Sequence, residues 1–260
     1  MATRRDNQKM TTLPKISIII PVLHMTRPLN KKRFFVTRYT LPDVLRNLHE
    51  NVLIPHEVIV VCNGQDDDLI KFVTGHPHVN KYCLNSVNVG VARSWNMGAE
   101  MAECDALCFV NDDVEIGKGG LESLFDVLSE DDRVGQVGPM GALWRGAEHL
   151  RYVGEREVEN ADAISGFLFM LRTKAFRQVG GFDPAYTPAG FEEIDMSFAL
   201  RSRGWQCLVV PNLDIKHHHH HGVSSYRSCV SYLGKEIDTE ALHQRNRDYF
   251  MKKWVIDNAS

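Results

Sequence analysis

Apolar positions in the first half of the chain follow two rhythms. Short unbroken runs at 16–22, 57–63, 82–84 and 106–110 are rich in β-branched residues, and most end in turn residues. Runs of that length without alternation suit strands buried on both faces of a parallel sheet. Between them, apolar residues recur every three or four positions: Val44, Leu45, Leu48 and Val52; Val91, Trp95, Ala99 and Ala102; Leu121, Leu124, Phe125 and Leu128. That is helix spacing. Strands alternating with helices predict an α/β fold with a doubly wound, mostly parallel central sheet flanked by helices.

The second half is less regular. Residues 134–137, 164–171 and 207–210 read as strands, the last stopped by Pro211. Residues 174–179 read as a short helix closed by Gly180 and Gly181, and 191–203 as a helix closed by Gly204. Residues 239–255 form a polar, basic helical pattern. There is no internal repeat and no Pro/Ser-rich linker, so a single domain over 15–256 is expected, with a flexible tail over 1–14. The basic stretch 27–33 reads as a loop, either solvated or in contact with a phosphate or an acceptor.

Composition narrows the picture. With 43% hydrophobic and 24% charged residues, the 260-residue chain is ordinary globular protein, which excludes a disordered, collagenous or coiled-coil chain. Lys+Arg (30) and Asp+Glu (33) nearly cancel, giving a net charge of −3. No nucleic-acid partner is therefore expected, and an anionic ligand must be gripped locally. No apolar run approaches the roughly 20 residues of a transmembrane segment, and the first ten residues do not resemble a signal peptide. A cytoplasmic location follows as the expectation. The six cysteines lack CxxC spacing and read as buried free thiols; Cys104 and Cys108 would be neighbours on a helix.

In an open α/β sheet, ligands bind beyond the carboxyl ends of the strands. Here those ends carry Pro21 and Val22, Asn63 to Asp66, and Asn111, Asp112 and Asp113. Adjacent carboxylates at the end of a buried strand repel unless water, a cation or a base relieves them. Hard oxygen donors suit Mg²⁺ or Mn²⁺; the same three residues also make an ordinary turn. In the segment 88–98, Gly90 permits close backbone approach, the following helix offers N–H groups to an anion, and Arg93 in its first turn can meet a phosphate. A plain turn and packed helix fits those residues too. The segment is neither a Walker A loop nor a GxGxxG. Glu192, Glu193 and Asp195 open a helix, where they either cap it or serve as acid–base groups. Glu192 and Asp195 share a face and Glu193 points about 100° away, so the three can divide structural and catalytic duties. Five internal histidines, 217–221, make a solvated loop or a metal-binding one.

Taken in order from Lys15 to Trp254, these features resemble the family 2 glycosyltransferases of GT-A fold, in the rhamnosyltransferase-like branch. The run 18–22 resembles the opening strand, 57–64 the second strand, 88–98 the Asn-x-Gly segment, and 109–114 the metal motif in its Asn-Pro-Asp form. Ser165-Gly166 and 179–183 resemble the acceptor-side segment, 192–195 the Glu-Asp-x-Asp motif, and 246–254 the closing helix. The resemblance implies a nucleotide-binding half at 15–115 and an acceptor-binding half at 116–256. It implies donor contacts at Pro21, Val22, Asn63, Asn88, Gly90, Arg93, Asn111 and Asp112. It makes Asp113 a metal ligand with His219, or its neighbours His217 and His221, for Mn²⁺ or Mg²⁺. It makes Glu193 the base, beside Glu192 and Asp195. The chain departs from the family pattern at Cys62 and Glu193, where the family usually has Asp.

The implied reaction is metal-dependent transfer from a nucleotide-diphosphate sugar to a glycan, lipid-linked or protein hydroxyl, with inversion, in polysaccharide or glycan biosynthesis. The acceptor could be met at a membrane surface, and homo-oligomerisation stays open. A sugar nucleotidyltransferase, a retaining transferase and a catalytically weak sugar- or metal-binding module of the same fold are the rival readings.

Overall fold

The unbroken apolar runs pair side by side because neither of their faces tolerates water. A computed structural model describes residue 13 and residues 15–26, 39–218 and 229–256. The predicted tail, apart from Leu13, and the basic stretch 27–33 lie outside the described residues. In chain order the first half runs β1 (Ile16–Val22), α1 (Leu41–Asn51), β2 (His56–Asn63), α2 (Asp67–Gly75), β3 (Lys81–Asn85), α3 (Val91–Met101), β4 (Ala106–Val110) and β5 (Val114–Ile116). The second half begins with α4 (Gly120–Glu130), β6 (Val134–Gly138), β7 (Gly141–Arg145), β8 (Glu148–Val153), β9 (Glu159–Asn160), β10 (Ala163–Ile164) and β11 (Leu168–Arg172). It continues through α5 (Thr173–Val179), α6 (Glu192–Ser202), β12 (Gln206–Val209), β13 (Ile215–His217), β14 (Cys229–Tyr232), β15 (Lys235–Asp238) and α7 (Thr239–Met251).

Eight strands form the main sheet in the order β3-β2-β1-β4-β11-β6-β12-β9. β3, β2, β1 and β4 are parallel, with Ile19 opposite both Ile59 and Phe109. The strand order reverses between β1 and β4, and such a switch point opens a crevice at the carboxyl ends. β11 runs antiparallel between β4 and β6, with Leu168 opposite Val110, so it begins where β4 ends. On one face, Ile18, Ile20, Val60 and Cys108 pack with Val44, Leu45 and Leu48 of α1 and Leu121 and Leu124 of α4. On the other, Ile19, Phe109 and Phe169 pack with Trp95 of α3 and Met196 and Leu200 of α6. α3 lies so close to β1 that a Cβ on Gly98 would fall 2.3 Å from Ile19 Cγ2.

The expected α/β architecture and its first four strands are present, and three details differ. The run 164–171 is not one strand. Its start belongs to β10, in a small sheet with β7 and β8, and its end to β11. The chain changes sheets at Ser165–Phe167, where Gly166 lies against Glu193 and Ser165 N donates to Met140 O at 2.9 Å. Apolar content alone does not reveal such a hop. α2 carries a weak apolar stripe and is set by its cap, Asp66, which accepts from Leu69 N at 2.9 Å. The last helix stops at Met251 and closes in a π-helical turn, Lys252–Ile256.

All six cysteines are free, but Cys83 is only half-buried and Cys229 is exposed. Cys104 sits in the turn before β4 and Cys108 within that strand, so the two are not helical neighbours. Among the described residues no helix is long and apolar enough to cross a membrane.

Candidate functional site

At the end of β4 the chain turns through Asn111, whose N–H donates to Phe167 O at 2.9 Å. Asp112 and Asp113 follow, only 4% and 3% exposed. β5 then pairs antiparallel with β13, placing His217 opposite Val114. His217 Nε2 lies 3.2 Å from Asp113 Oδ1, and its ring stacks on Phe167 with centroids 4.7 Å apart. His218 N donates to Asp113 O at 3.0 Å. The His218 ring takes a different set of partners, its Nε2 2.9 Å from Glu115 Oε2 and its ring stacked on Tyr39 at 4.4 Å. Successive side chains of an extended segment point to opposite faces, so one histidine meets Asp113 and the next does not.

A carboxylate oxygen beside an imidazole nitrogen is a donor set that suits Mn²⁺ and accommodates Mg²⁺. Asp113 and His217 therefore fit the implied cation. Among the described residues, no group of three or more His, Cys, Asp or Glu side chains converges on one point. His219 and His221, the other expected ligands, lie outside the described residues.

The opposite shore is the start of α6. Gly190 and Phe191 precede it with φ of 100° and 74°. A left-handed phenylalanine is uncommon and costs about 1–3 kcal/mol unless its surroundings impose it. The turn sends Glu192 inward, 5% exposed, and lays Glu193 against Gly166, where a Cβ would lie 3.0 Å from Glu193 Cγ. Burial pushes both carboxyls above their ordinary range, and for Glu192 the neighbouring Glu193 charge adds to it. Asp195 has a different duty. Its carboxylate accepts from Tyr186 OH (2.9 Å), Trp254 Nε1 (2.6 Å) and Lys253 Nζ (3.0 Å). Burial raises its carboxyl despite those donors. The Gly166–Phe167 segment thus touches Glu193 on one side and His217, the partner of Asp113, on the other.

The expected donor residues form one band along the strand ends. Pro21 and Val22 pair with Val61 and Cys62. Asn63 Oδ1 accepts from Val89 N at 2.8 Å and its Nδ2 donates to Asn88 Oδ1 at 2.9 Å. Asn88 Nδ2 donates to Ser231 O at 2.8 Å. Gly90 is needed for approach to the protein's own backbone: a Cβ there would lie 2.9 Å from Pro188 Cα. Val91 N, the first donor of α3, is taken by Pro188 O at 2.8 Å. Arg93 Nη1 donates to Thr187 Oγ1 at 2.8 Å and to the Tyr232 hydroxyl. Cys62 is fully buried, and burial pushes its thiol up to about 11, so it behaves as core.

Sequence reasoning missed Phe167, Tyr39, Thr187 and Tyr232. Phe167 had a signal, because it directly follows the quoted Ser165-Gly166 pair. The other three are ordinary aromatic or hydroxyl residues in poorly patterned segments.

Comparison with known proteins identifies relatives in sequence and in fold. The profile described as "Glycosyl transferase family 2" matches residues 35–179. An N-acetylglucosaminyl-diphospho-decaprenol L-rhamnosyltransferase of Mycobacterium tuberculosis is 29% identical over 222 residues, covering 69% of this chain and 71% of the relative. Polypeptide N-acetylgalactosaminyltransferase 8 of Drosophila melanogaster is 25% identical, covering 95% of this chain and 44% of the relative. Among solved structures, GalNAc-T7 with UDP, GalNAc and Mn²⁺ superposes at a TM-score of 0.66 with 14% identity, over 92% of this chain and 48% of that one. The mannosyltransferase PcManGT of Pyrobaculum calidifontis, in complex with GDP-Man and Mn²⁺, superposes at 0.56 with 16% identity, over 78% and 56%. Those two likenesses show the fold, and this chain spans about half the length of each.

Proposed function

The chain belongs to glycosyl transferase family 2, and from that premise we propose that it moves a sugar from a nucleotide-diphosphate donor to an acceptor hydroxyl, with inversion and with a divalent cation. The observation that carries this reading is the meeting of two unlike groups across Gly166–Phe167: the Asp113–His217 pair on one side and the raised carboxyl of Glu193 on the other.

The donor lies along the strand ends, its base near Pro21, Val22 and Asn63 and its diphosphate between the Asn88–Arg93 segment and Asn111–Asp113. When bound, Mn²⁺ or Mg²⁺ supplies positive charge for the departing diphosphate. Asp113 and His217 are the described residues that hold it, with His219 and His221 as further candidates. Arg93 adds a second positive charge on exchanging its hydroxyl partners for phosphate oxygens. Glu193 takes the proton from the acceptor hydroxyl as its oxygen bonds to the anomeric carbon. The electron pair of the broken sugar–phosphate bond leaves with the nucleoside diphosphate. Glu192, inside, keeps the pocket polar, and Asp195 fixes the helix that carries both.

The test is incubation with a panel of nucleotide sugars and Mn²⁺ against glycan, protein and lipid-linked acceptors. The likeness to the decaprenol-linked rhamnosyltransferase supports including the last class. Release of nucleoside diphosphate with formation of the glycoside is expected, abolished by EDTA and restored by Mn²⁺. Pyrophosphate release would mark a nucleotidyltransferase instead. A donor that raises Tm without any product would mark a binding module. A retained anomer would leave glycosyl transfer standing and remove Glu193 as the direct base.

A further inference from the structure

The segment Tyr186–Gly190, which delivers the chain to Glu192 and Glu193, belongs to neither helix nor strand beyond its first residue, yet each of its carbonyls has a donor. Asn246 Nδ2 of α7 donates to Tyr186 O (2.8 Å), Gly190 O (2.8 Å) and Ala189 O (3.0 Å). Arg245 Nη2 donates to Thr187 O at 2.5 Å, and Pro188 O accepts from Val91 N at 2.8 Å. An amide nitrogen has two hydrogens, so three carbonyls around it make a shared grip. The Asn246 Oδ1 accepts from Arg245 Nε at 3.0 Å and Nη2 at 2.8 Å, which fixes the direction of the amide. Asn246 is 1% exposed. One turn further along α7, Phe250 packs its ring on Phe191 with centroids 5.4 Å apart.

A helix interior rarely spends a buried asparagine, because a lost partner leaves polar atoms stranded. Here the side chain's amide donors are all directed at one turn. That turn contains the left-handed Gly190 and Phe191, a conformation that persists only where neighbours impose it. Its far end sets the direction of α6 and so the position of Glu193 against Gly166.

We propose that Asn246 is a positioning residue for the transfer reaction: by holding Tyr186, Ala189 and Gly190 it fixes the turn from which Glu192 and Glu193 enter the site. The inference rests on Glu193 as the proposed base. Asn246 itself touches none of the proposed donor residues, but Thr187 and Pro188 of the turn it holds meet Arg93 and Gly90, so its main influence falls on the rate of the chemical step and a smaller one on donor binding.

The experiment compares the full chain with Asn246→Asp, which keeps the shape and loses the donors, with Asn246→Ser as a second variant should the first not fold. Each is measured alone and on a Glu193→Gln background, and hydrogen exchange is followed over 184–195. kcat is expected to fall on the order of 10- to 100-fold, as for a misplaced catalytic group, and donor KM to rise by less than kcat falls. On the Glu193→Gln background no further loss is expected, because the group being positioned is already gone. Exchange rises over 184–195 and stays unchanged in β1, β2 and β4. An unchanged kcat, an equal loss on both backgrounds, or unchanged exchange over 184–195 overturns the proposal. Normal transfer by Glu193→Gln alone would instead overturn the base assignment, and the exchange result would still judge the grip.

Discussion

The two shores of the cleft are made by different means. The Asp113 shore is carried by backbone ladders: β4 lies between β1 and β11, and β5 is pinned by β13. The Glu193 shore hangs on side chains, with Asn246 and Arg245 on carbonyls and Lys253 and Trp254 on Asp195. A ladder spreads its hold over many equivalent bonds, so deleting one side chain changes little beyond that side chain's own chemistry. A clamp of single side chains concentrates the hold, and one substitution can release it.

Four measurements break or sharpen this contrast. The largest effect is expected from Asp113→Ala on the laddered shore: transfer falls about 10⁴-fold, the several kcal/mol that a bound cation contributes, while Tm stays within a few degrees. Full activity in that variant would remove the metal assignment.

Next, Glu193→Gln lowers kcat by roughly 10²–10⁴-fold, the usual worth of a placed base. As the proposed base, Glu193 would act only when deprotonated. Burial raises its carboxyl, so kcat falls as pH drops through that raised value. The acid limb therefore lies above the ordinary glutamate range near about 4.3, and Glu193→Gln abolishes it. An acid limb that survives the substitution assigns the base elsewhere.

Third, Gly98→Ala tests the laddered half by crowding. Its new Cβ would sit 2.3 Å from Ile19 Cγ2, and overpacking of this kind costs about 1–3 kcal/mol. The gain in helix propensity offsets about 1 kcal/mol of that. A net loss of up to about 2 kcal/mol follows, a fall in Tm of up to about 8 °C for a chain of this size; a rise would show that α3 is free to shift.

The smallest effect belongs to Glu192→Gln on the clamped shore. Burial and the Glu193 charge raise the folded-state carboxyl. Its favourable contribution is thus full below the unfolded value and lost as pH rises through the folded one. Gln stays neutral throughout, so the variant gains Tm by a few degrees at pH 8 and matches the wild type near pH 4. Equal Tm at both values would show that Glu192 is well solvated.

The same contrast governs what was legible in the sequence. β1, β2 and β4 announce themselves because both faces are buried and most positions are apolar. Asp112, Asp113 and the Glu192–Asp195 cluster were visible because charges at the edge of such runs stand out. What holds Glu193 in place was not visible. Asn246 reaches Gly190 across 56 residues, and a single amide meeting three carbonyls leaves no period, run or spacing. Phe167 hid inside an apolar stretch that looked like uninterrupted strand. Of the three histidines the pattern offered for the metal, His217 is described and faces Asp113, while His219 and His221 lie outside the described residues.

The reversed direction of β11 has a wider consequence. Because its amino end lies among the carboxyl ends of its neighbours, the chain between β6 and β11, including the β7–β8 hairpin, is suspended from the rim of the crevice, apart from β9, which pairs with β12 at the edge of the main sheet. Such a graft can lengthen, shrink or change its surface without altering the register of β1, β2 and β4. Change in that hairpin is thereby mechanically decoupled from the strand ends proposed to hold the donor.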